Sequence, residues 1–394
     1  MVKRIGILTG GGDAPGLNQA IKYATKKALA LGYEVYGIVD GWKGLIEPGV
    51  VEKTKDLHSD LQKRLEASAK EMIKREVHEF FWKDVVKNAG LLISPLSKTD
   101  VSKWGEYPGT NLGSSRTNPF GKKNDRSKIL FENIERLGLG YIIAIGGGDT
   151  LGAGNKASKL GINVIGIPKT IDGDLLGTDY TLGFETAVDV IKEAVKNLHG
   201  TAKSHEKTTI LETMGRHSGL LAYEGGNSTS VGIVLIPEWS PSLDEISDIL
   251  MRRKKEGVSY DIIVVSEGTK IREYEDLISS GEKDEFGHIQ LGGIAERLKT
   301  DLAKRTDQKI RSTSLGYLQR GAAPNSYDIR KARQFGVAAV ELIEKGISGR
   351  MISYSDGKIT HVSLDDVSKG TRRVNVNKMY DIPRLNAKLV GFGL

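Results

Sequence analysis

Two loops between Tyr141 and Phe184 carry residue types suited to phosphate chemistry. An apolar run from Tyr141 to Ile145 stops at Gly146, Gly147 and Gly148, and Asp149 and Thr150 follow. A second run, Asn163 to Ile167, ends in Pro168-Lys169-Thr170-Ile171-Asp172-Gly173-Asp174. Three carboxylates, one lysine and two threonines there suit phosphate binding, Mg²⁺ and proton transfer. The glycines let backbone N–H groups approach a phosphate closely. One such loop alone is more simply a tight turn. Two together, both with Asp and Thr and one with Lys, favour a site.

The elements needed to position these loops are legible nearby. Ala153, Ala157 and Leu160 mark a helix between the two apolar runs. Strand, glycine turn, helix and strand make a βαβ unit, whose loops emerge together at the carboxyl edge of a parallel sheet. The chain opens the same way. Arg4 to Leu8 is a strand, Gly10-Gly11-Gly12-Asp13-Ala14-Pro15-Gly16 a third glycine loop, and Leu17 to Leu31 a helix ended by Gly32. Glu34 to Val39 reads as the next strand. The loop is neither a Walker A (no GKS or GKT) nor a GxGxxG fingerprint, which disfavours a P-loop ATPase and a classical dehydrogenase.

The totals bound the class. A chain of 394 residues is too long for one ordinary core, so two lobes are expected. Its 39% hydrophobic and 27% charged content fits a soluble globular protein. With no cysteine there is no disulfide, thiolate metal site or cysteine nucleophile; this fits a cytoplasmic location. The net charge of +7 is interspersed, with no aromatic-basic platform, so anionic small molecules rather than nucleic acid are expected. No apolar run has the length of a signal peptide or a membrane span, so no membrane partner is expected. The histidines, His58, His78, His199, His205, His217, His288 and His361, show no zinc spacing.

Residues 51–90 differ in character: the stretch 58–87 is charged, glycine-free and helical in period, with Leu61, Leu65, Met72, Val77, Phe80 and Phe81 available for one apolar stripe. They read as a helical insertion, more simply a surface helix pair than a lid or subunit contact. From Phe184 an amphipathic helix begins a second lobe. Strands are expected at Thr208 to Glu212, Val231 to Ile236 and Asp261 to Val265, and a helix at Ile329 to Lys345.

Taken together, the motifs resemble the phosphofructokinase family, which includes ATP- and pyrophosphate-dependent enzymes. The matching segments are GGGDAPGLN at 10–18, GTNLGSSR at 109–116, GGGDT at 146–150, PKTIDGD at 168–174, GTDYTLGF at 177–184, ETMGRHSG at 212–219, SEG at 266–268 and LGYLQRG at 315–321. Their order and spacing agree over most of the chain; the insertion and the extreme C-terminus fall outside. The resemblance implies an α/β fold of two Rossmann-like lobes with mainly parallel sheets flanked by helices, and the active site between them. The lobes would be 1–183 plus about 319–369 for the phosphoryl donor, and 184–318 plus about 370–394 for the sugar phosphate.

It also implies phosphoryl transfer to the 1-hydroxyl of fructose 6-phosphate in a homodimer or homotetramer. Asp172 matches the base that takes the hydroxyl proton, and Thr170 its neighbour at the transferred phosphoryl group. Asp149 and Asp174 would serve Mg²⁺. Arg216 matches the arginine that neutralises transition-state charge, alongside Lys169. Met214, Gly215, Glu267, Arg311, Tyr317 and Arg320 match sugar-phosphate contacts. Lys207 lies where many members have an arginine reaching a neighbouring subunit's 6-phosphate. Gly12, Arg116 and Thr150 fall among the donor contacts.

The donor is decided locally. ATP-dependent members typically carry glycine at the position of Asp149, which leaves room for a nucleotide; pyrophosphate-dependent members have aspartate there and a lysine at the position of Lys169. Tyr317 also matches the pyrophosphate enzymes better. Pyrophosphate is therefore expected as donor, with ATP, or a non-catalytic sugar-phosphate sensor, as alternatives. Three departures stand out. Gly148 replaces an acid and so removes one metal carboxylate, Gly173 replaces a polar residue, and Lys207 lacks the arginine fork. Lys22 and Lys26 could stand for two arginines of the bacterial allosteric site, but His199 does not fit, so little allosteric control is expected.

Overall fold

The structure is a computed structural model that describes residues 3–47, 57–74, 82–122, 124–274, 279–283 and 289–388. In chain order its main elements begin with β1 (Arg4–Gly10), α1 (Leu17–Ala30), β2 (Glu34–Ile38), α2 (Leu57–Lys74), α3 (Trp82–Asn88) and β3 (Ile93–Pro95). Next come α4 (Ser127–Leu137), β4 (Tyr141–Gly146), α5 (Gly148–Lys159), β5 (Val164–Pro168), α6 (Phe184–His205) and β6 (Thr208–Thr213). Then follow α7 (Leu220–Asn227), β7 (Ile233–Leu235), α8 (Leu243–Lys255), β8 (Ile262–Ser266), α9 (Ile294–Thr306) and β9 (Ile310–Ser314). The last are α10 (Ser326–Glu344), β10 (Arg350–Ser355) and β11 (Lys358–Ser363).

Two compact units form. The first comprises residues up to Thr170, Leu175–Gly183 and Ala323–Gly370; the second comprises Ile171–Asp174, Phe184–Ala322 and the chain from Thr371. The four residues Ile171–Asp174, in the middle of a loop, thus pack with the second unit.

The first unit holds a seven-stranded sheet in the order β11-β10-β5-β4-β1-β2-β3. All its pairings are parallel except the two at the edges, β10 with β11 and β2 with β3. The apolar runs of β1 and β4 are buried along their length, as expected of central strands covered on both faces. The register pairs Gly10 with Gly146 and Gly146 with Pro168, so three glycine- or proline-terminated loops leave one edge side by side. The insertion is helical where described: Leu61 and Met72 of α2 are buried, and Leu65 packs on the core beside them. Residues 51–56 and 75–81, with Val77, Phe80 and Phe81 of the expected stripe, lie outside the described residues.

The second unit holds a four-stranded parallel sheet, β9-β6-β8-β7. The strand expected at Val231 to Ile236 is shorter, Ile233–Leu235, and in the first unit α10 begins earlier than expected, at Ser326. Its N-cap Asn325 accepts the Asp328 N–H, a local signal for that earlier start.

Candidate active site

In the first unit the loop edge is assembled by close packing. A Cβ on Gly10 would lie 2.5 Å from Thr150 Oγ1, and one on Gly146 would lie 2.4 Å from Thr150 Cβ. Only glycine at both strand ends leaves room for Thr150, which is 3% exposed. Its carbonyl accepts the Trp42 indole N–H at 3.2 Å. Thr150 therefore packs the edge beneath the loops.

The loops are tied to one another. The Gly11 N–H donates to the Ser115 carbonyl at 3.0 Å, and the Ser114 hydroxyl donates to the Gly11 carbonyl at 2.5 Å. The Ser115 hydroxyl donates to the Asp40 carbonyl at 2.7 Å, which fixes the turn that leads into Arg116. Lys169 is 3% exposed, and its Nζ donates to the Gly12 carbonyl. A buried ammonium is costly unless oxygen acceptors surround it, so this corner of the unit suits anionic oxygens. Asp149 lies in the first turn of α5, where the helix dipole favours a carboxylate. Gly148 is exposed, and a Cβ there would meet only Leu175 Cδ2 at 3.8 Å. Nothing steric demands glycine at that position.

Thr170 is held through its carbonyl, which accepts the Thr181 hydroxyl at 2.7 Å. Beyond it the chain joins the second unit. Gly173 has φ +67°, and a Cβ there would lie 2.8 Å from the Phe184 ring. Glycine suits that ring and that backbone. The Asp174 carbonyl accepts the Arg372 N–H at 2.7 Å.

In the second unit β6 and β8 end in loops locked to each other. The Glu267 N–H donates to the Thr213 carbonyl at 2.8 Å, and the Arg216 N–H to Glu267 Oε1 at 3.2 Å. Arg216 has φ +50°, a left-handed conformation uncommon for arginine, and it follows Gly215 at φ +136°. The Met214 N–H donates to Gln319 Oε1 at 3.3 Å, which ties this loop to the LGYLQRG segment. Burial pushes the Glu267 carboxyl up to about 7, and the nearby negative charge of Asp172 adds to the rise. The Arg216 N–H and the Arg320 guanidinium act the other way. Asp172, Glu267, Arg216 and Arg320 are thus electrostatic neighbours, brought together from four separate stretches.

Tyr317 is 71% exposed. Arg311 is exposed and sits opposite Thr209 near the amino end of β9. Lys207 precedes the adjoining strand. At about 3.3 Å per residue, Arg311 lies about five residues short of the level of Met214. The structure does not bring Arg311 and Lys207 to the loop edge that holds Met214, Gly215 and Arg216.

Sequence reasoning missed the buried supports. Glu212 accepts the N–H groups of Gly293 and Ala295 at 2.9 Å each, at the start of α9. Gln319 is fully buried. Both lie inside motifs, but a polar residue's burial is not written in its neighbours. Among the described residues no group of three or more acid, histidine or cysteine side chains forms a metal cage. Mg²⁺ does not need one, because it usually keeps waters and substrate phosphate oxygens beside one or two carboxylates. Asp149 and Asp174 are hard oxygen donors of that kind.

Comparison with known proteins identifies the family. The family described as Phosphofructokinase matches residues 4–343. The chain is 37% identical over 373 residues to a pyrophosphate–fructose 6-phosphate 1-phosphotransferase of Dictyoglomus thermophilum, covering 94% of this chain and 95% of the relative. It is 36% identical over 376 residues to an ATP-dependent 6-phosphofructokinase 2 of Clostridium perfringens, covering 95% and 94%. A crystal structure of a pyrophosphate-dependent phosphofructokinase from Nitrosospira multiformis superposes with a TM-score of 0.76 at 21% identity, covering 98% of this chain and 89% of the other. That structure has the same α/β fold. With its glycine loops and motif order accounted for, the chain belongs to the phosphofructokinase family.

Proposed function

We propose that the chain transfers a phosphoryl group from pyrophosphate to the 1-hydroxyl of fructose 6-phosphate, giving fructose 1,6-bisphosphate and phosphate. The observation that carries the choice of donor is the buried Lys169 amine, aimed into the first glycine loop, with Asp149 on the opening turn of α5. Lys169 supplies positive charge to the leaving phosphate, which has no nucleoside to anchor it. Asp149 places a negative charge where a nucleotide would need room.

The roles follow from position and charge. Asp172 accepts the 1-hydroxyl proton as the hydroxyl oxygen bonds to phosphorus and the bridging P–O bond breaks. Arg216, Thr170 and Lys169 stabilise the oxygens of the transferred group, and such transfer depends on positioning and charge neutralisation more than covalent help. Gly12 and Arg116 hold the donor on the first unit. Met214, Gly215, Glu267, Tyr317 and Arg320 hold the sugar phosphate on the second, and Lys207 and Arg311 take the 6-phosphate of a neighbouring subunit in a homodimer or homotetramer. Asp149 and Asp174 would hold Mg²⁺, which neutralises charge on the donor oxygens. No helix among the described residues is long and apolar enough to cross a membrane. We place the reaction in the cytoplasm, as a step of glycolysis.

ATP is the second reading, favoured by the open space at Gly148, which lets the loop beside Asp149 yield. Purified protein with fructose 6-phosphate, Mg²⁺ and either donor, followed by bisphosphate formation, separates the two. Turnover with ATP far above that with pyrophosphate overturns the first reading, and no turnover with either donor leaves a sugar-phosphate sensor.

A further inference from the structure

The first unit carries a carboxylate that this reaction scheme does not use. Asp328, in the first turn of α10, is fully buried. The Tyr180 hydroxyl and the Gly183 N–H, the latter at 2.6 Å, both donate to its Oδ1. These donors and the helix N-terminus offset the loss of water around a buried charge. The Tyr180 ring is wedged edge-on against Tyr327 at 5.1 Å and tilted against Phe335 at 6.1 Å, so its hydroxyl has little freedom to turn away.

The segment that Asp328 holds is itself bonded to the donor loop. The Leu182 N–H donates to the Pro168 carbonyl at 3.1 Å, and the Thr181 hydroxyl to the Thr170 carbonyl at 2.7 Å. Lys169 and Leu182 form a parallel bridge between these bonds. A continuous line of hydrogen bonds therefore runs from Asp328 through Tyr180–Gly183 to Pro168 and Thr170, and Lys169 continues it to the Gly12 carbonyl.

We propose that Asp328 is a positioning residue for the phosphoryl donor: through Tyr180 and Gly183 it sets where Thr170 and Lys169 stand. This rests on the reading of the Lys169–Thr170 loop as donor-binding. Asp328→Asn keeps the shape and one acceptor oxygen but removes the charge. Thr181→Val removes only the hydroxyl that holds the Thr170 carbonyl. The measurements are pyrophosphate binding by calorimetry without sugar phosphate, and steady-state kinetics in both substrates.

For both variants we expect the pyrophosphate dissociation constant and donor KM to rise about tenfold, with a similar fall in kcat and a fructose 6-phosphate KM within about twofold of wild type. Equal losses toward both substrates overturn the proposal, as does a lower melting temperature with an unchanged donor KM. Should Asp328→Asn not fold, Thr181→Val and Tyr180→Phe decide by the same split. A wild-type protein that uses ATP alone sinks the pyrophosphate reading instead, and the split measured with ATP then judges Asp328.

Discussion

The α-carbon of Gly268 lies so close to the Arg216 carbonyl that a Cβ there would be 1.6 Å from its oxygen. The contact is backbone to backbone, so no side-chain rotation can relieve it. Arg216 is already in a left-handed conformation, and its N–H is held by Glu267. Gly268→Ala should therefore displace the loop that aims the Arg216 guanidinium. A fall in kcat of about 10²-fold is expected, together with a lower melting temperature. Wild-type kinetics in this variant would show that the loop's position is immaterial to the reaction.

Asp172→Ser should abolish turnover while fructose 6-phosphate still binds. Loss of a general base typically costs about 10²–10⁴-fold. Calorimetric binding of the sugar phosphate, measured beside kcat, separates the proton-transfer role from a binding role. A near wild-type kcat sinks the assignment.

Glu267 should impose a pH dependence on stability. Its carboxyl is raised from 4.5 to about 7 in the folded protein. Below 4.5 it is protonated in both folded and unfolded chains and costs nothing. As pH rises from 4.5 to 7 the unfolded chain ionises first, so this residue's contribution to stability is progressively lost, and the loss levels off above 7. Glu267→Gln should therefore gain melting temperature relative to wild type across that window. A constant difference between the two proteins from acid to neutral pH would contradict the raised value.

The donor can be tested residue by residue. Asp149→Gly removes a negative charge from the first turn of α5 and should gain activity with ATP. Lys169→Ala removes the amine on the Gly12 carbonyl and should lose pyrophosphate activity above all. Steady-state kinetics with each donor gives the answer. If both variants lose every activity together, the two residues merely support the loop.

Lys207 and Arg311 lie on neighbouring chain segments near the amino ends of β6 and β9. Their proposed role is to serve a neighbouring subunit's 6-phosphate. Arg311→Ala should raise the fructose 6-phosphate KM by about tenfold or more, because a charged hydrogen bond to phosphate is lost. Light scattering should show a dimer or tetramer, and a fully active monomer rules out the shared site.

Much of this was legible in residue order. Apolar runs of strand length that stop at Gly10 and Gly146, each followed by a helical period, are local patterns, and β1, α1, β4, α5 and β5 follow from them within a few residues. The chemistry proposed for Asp149, Lys169, Asp172 and Asp174 is equally local, because it resides in side-chain type and in their place at the strand ends. Other features depend on which distant segments touch. Gly268 must be glycine because of the Arg216 carbonyl, and Gly173 sits against the Phe184 ring. The Glu267 carboxyl is raised by burial and by Asp172, from a loop far away in sequence. Asp328 falls just outside the helix expected from the sequence, Ile329 to Lys345, and only packing makes it a fully buried acceptor for Tyr180 and Gly183. Backbone clash, desolvation and hydrogen-bond satisfaction are properties of pairs of atoms in space. Periodicity along the chain reports only which face a residue takes, so the tertiary fold alone decided them.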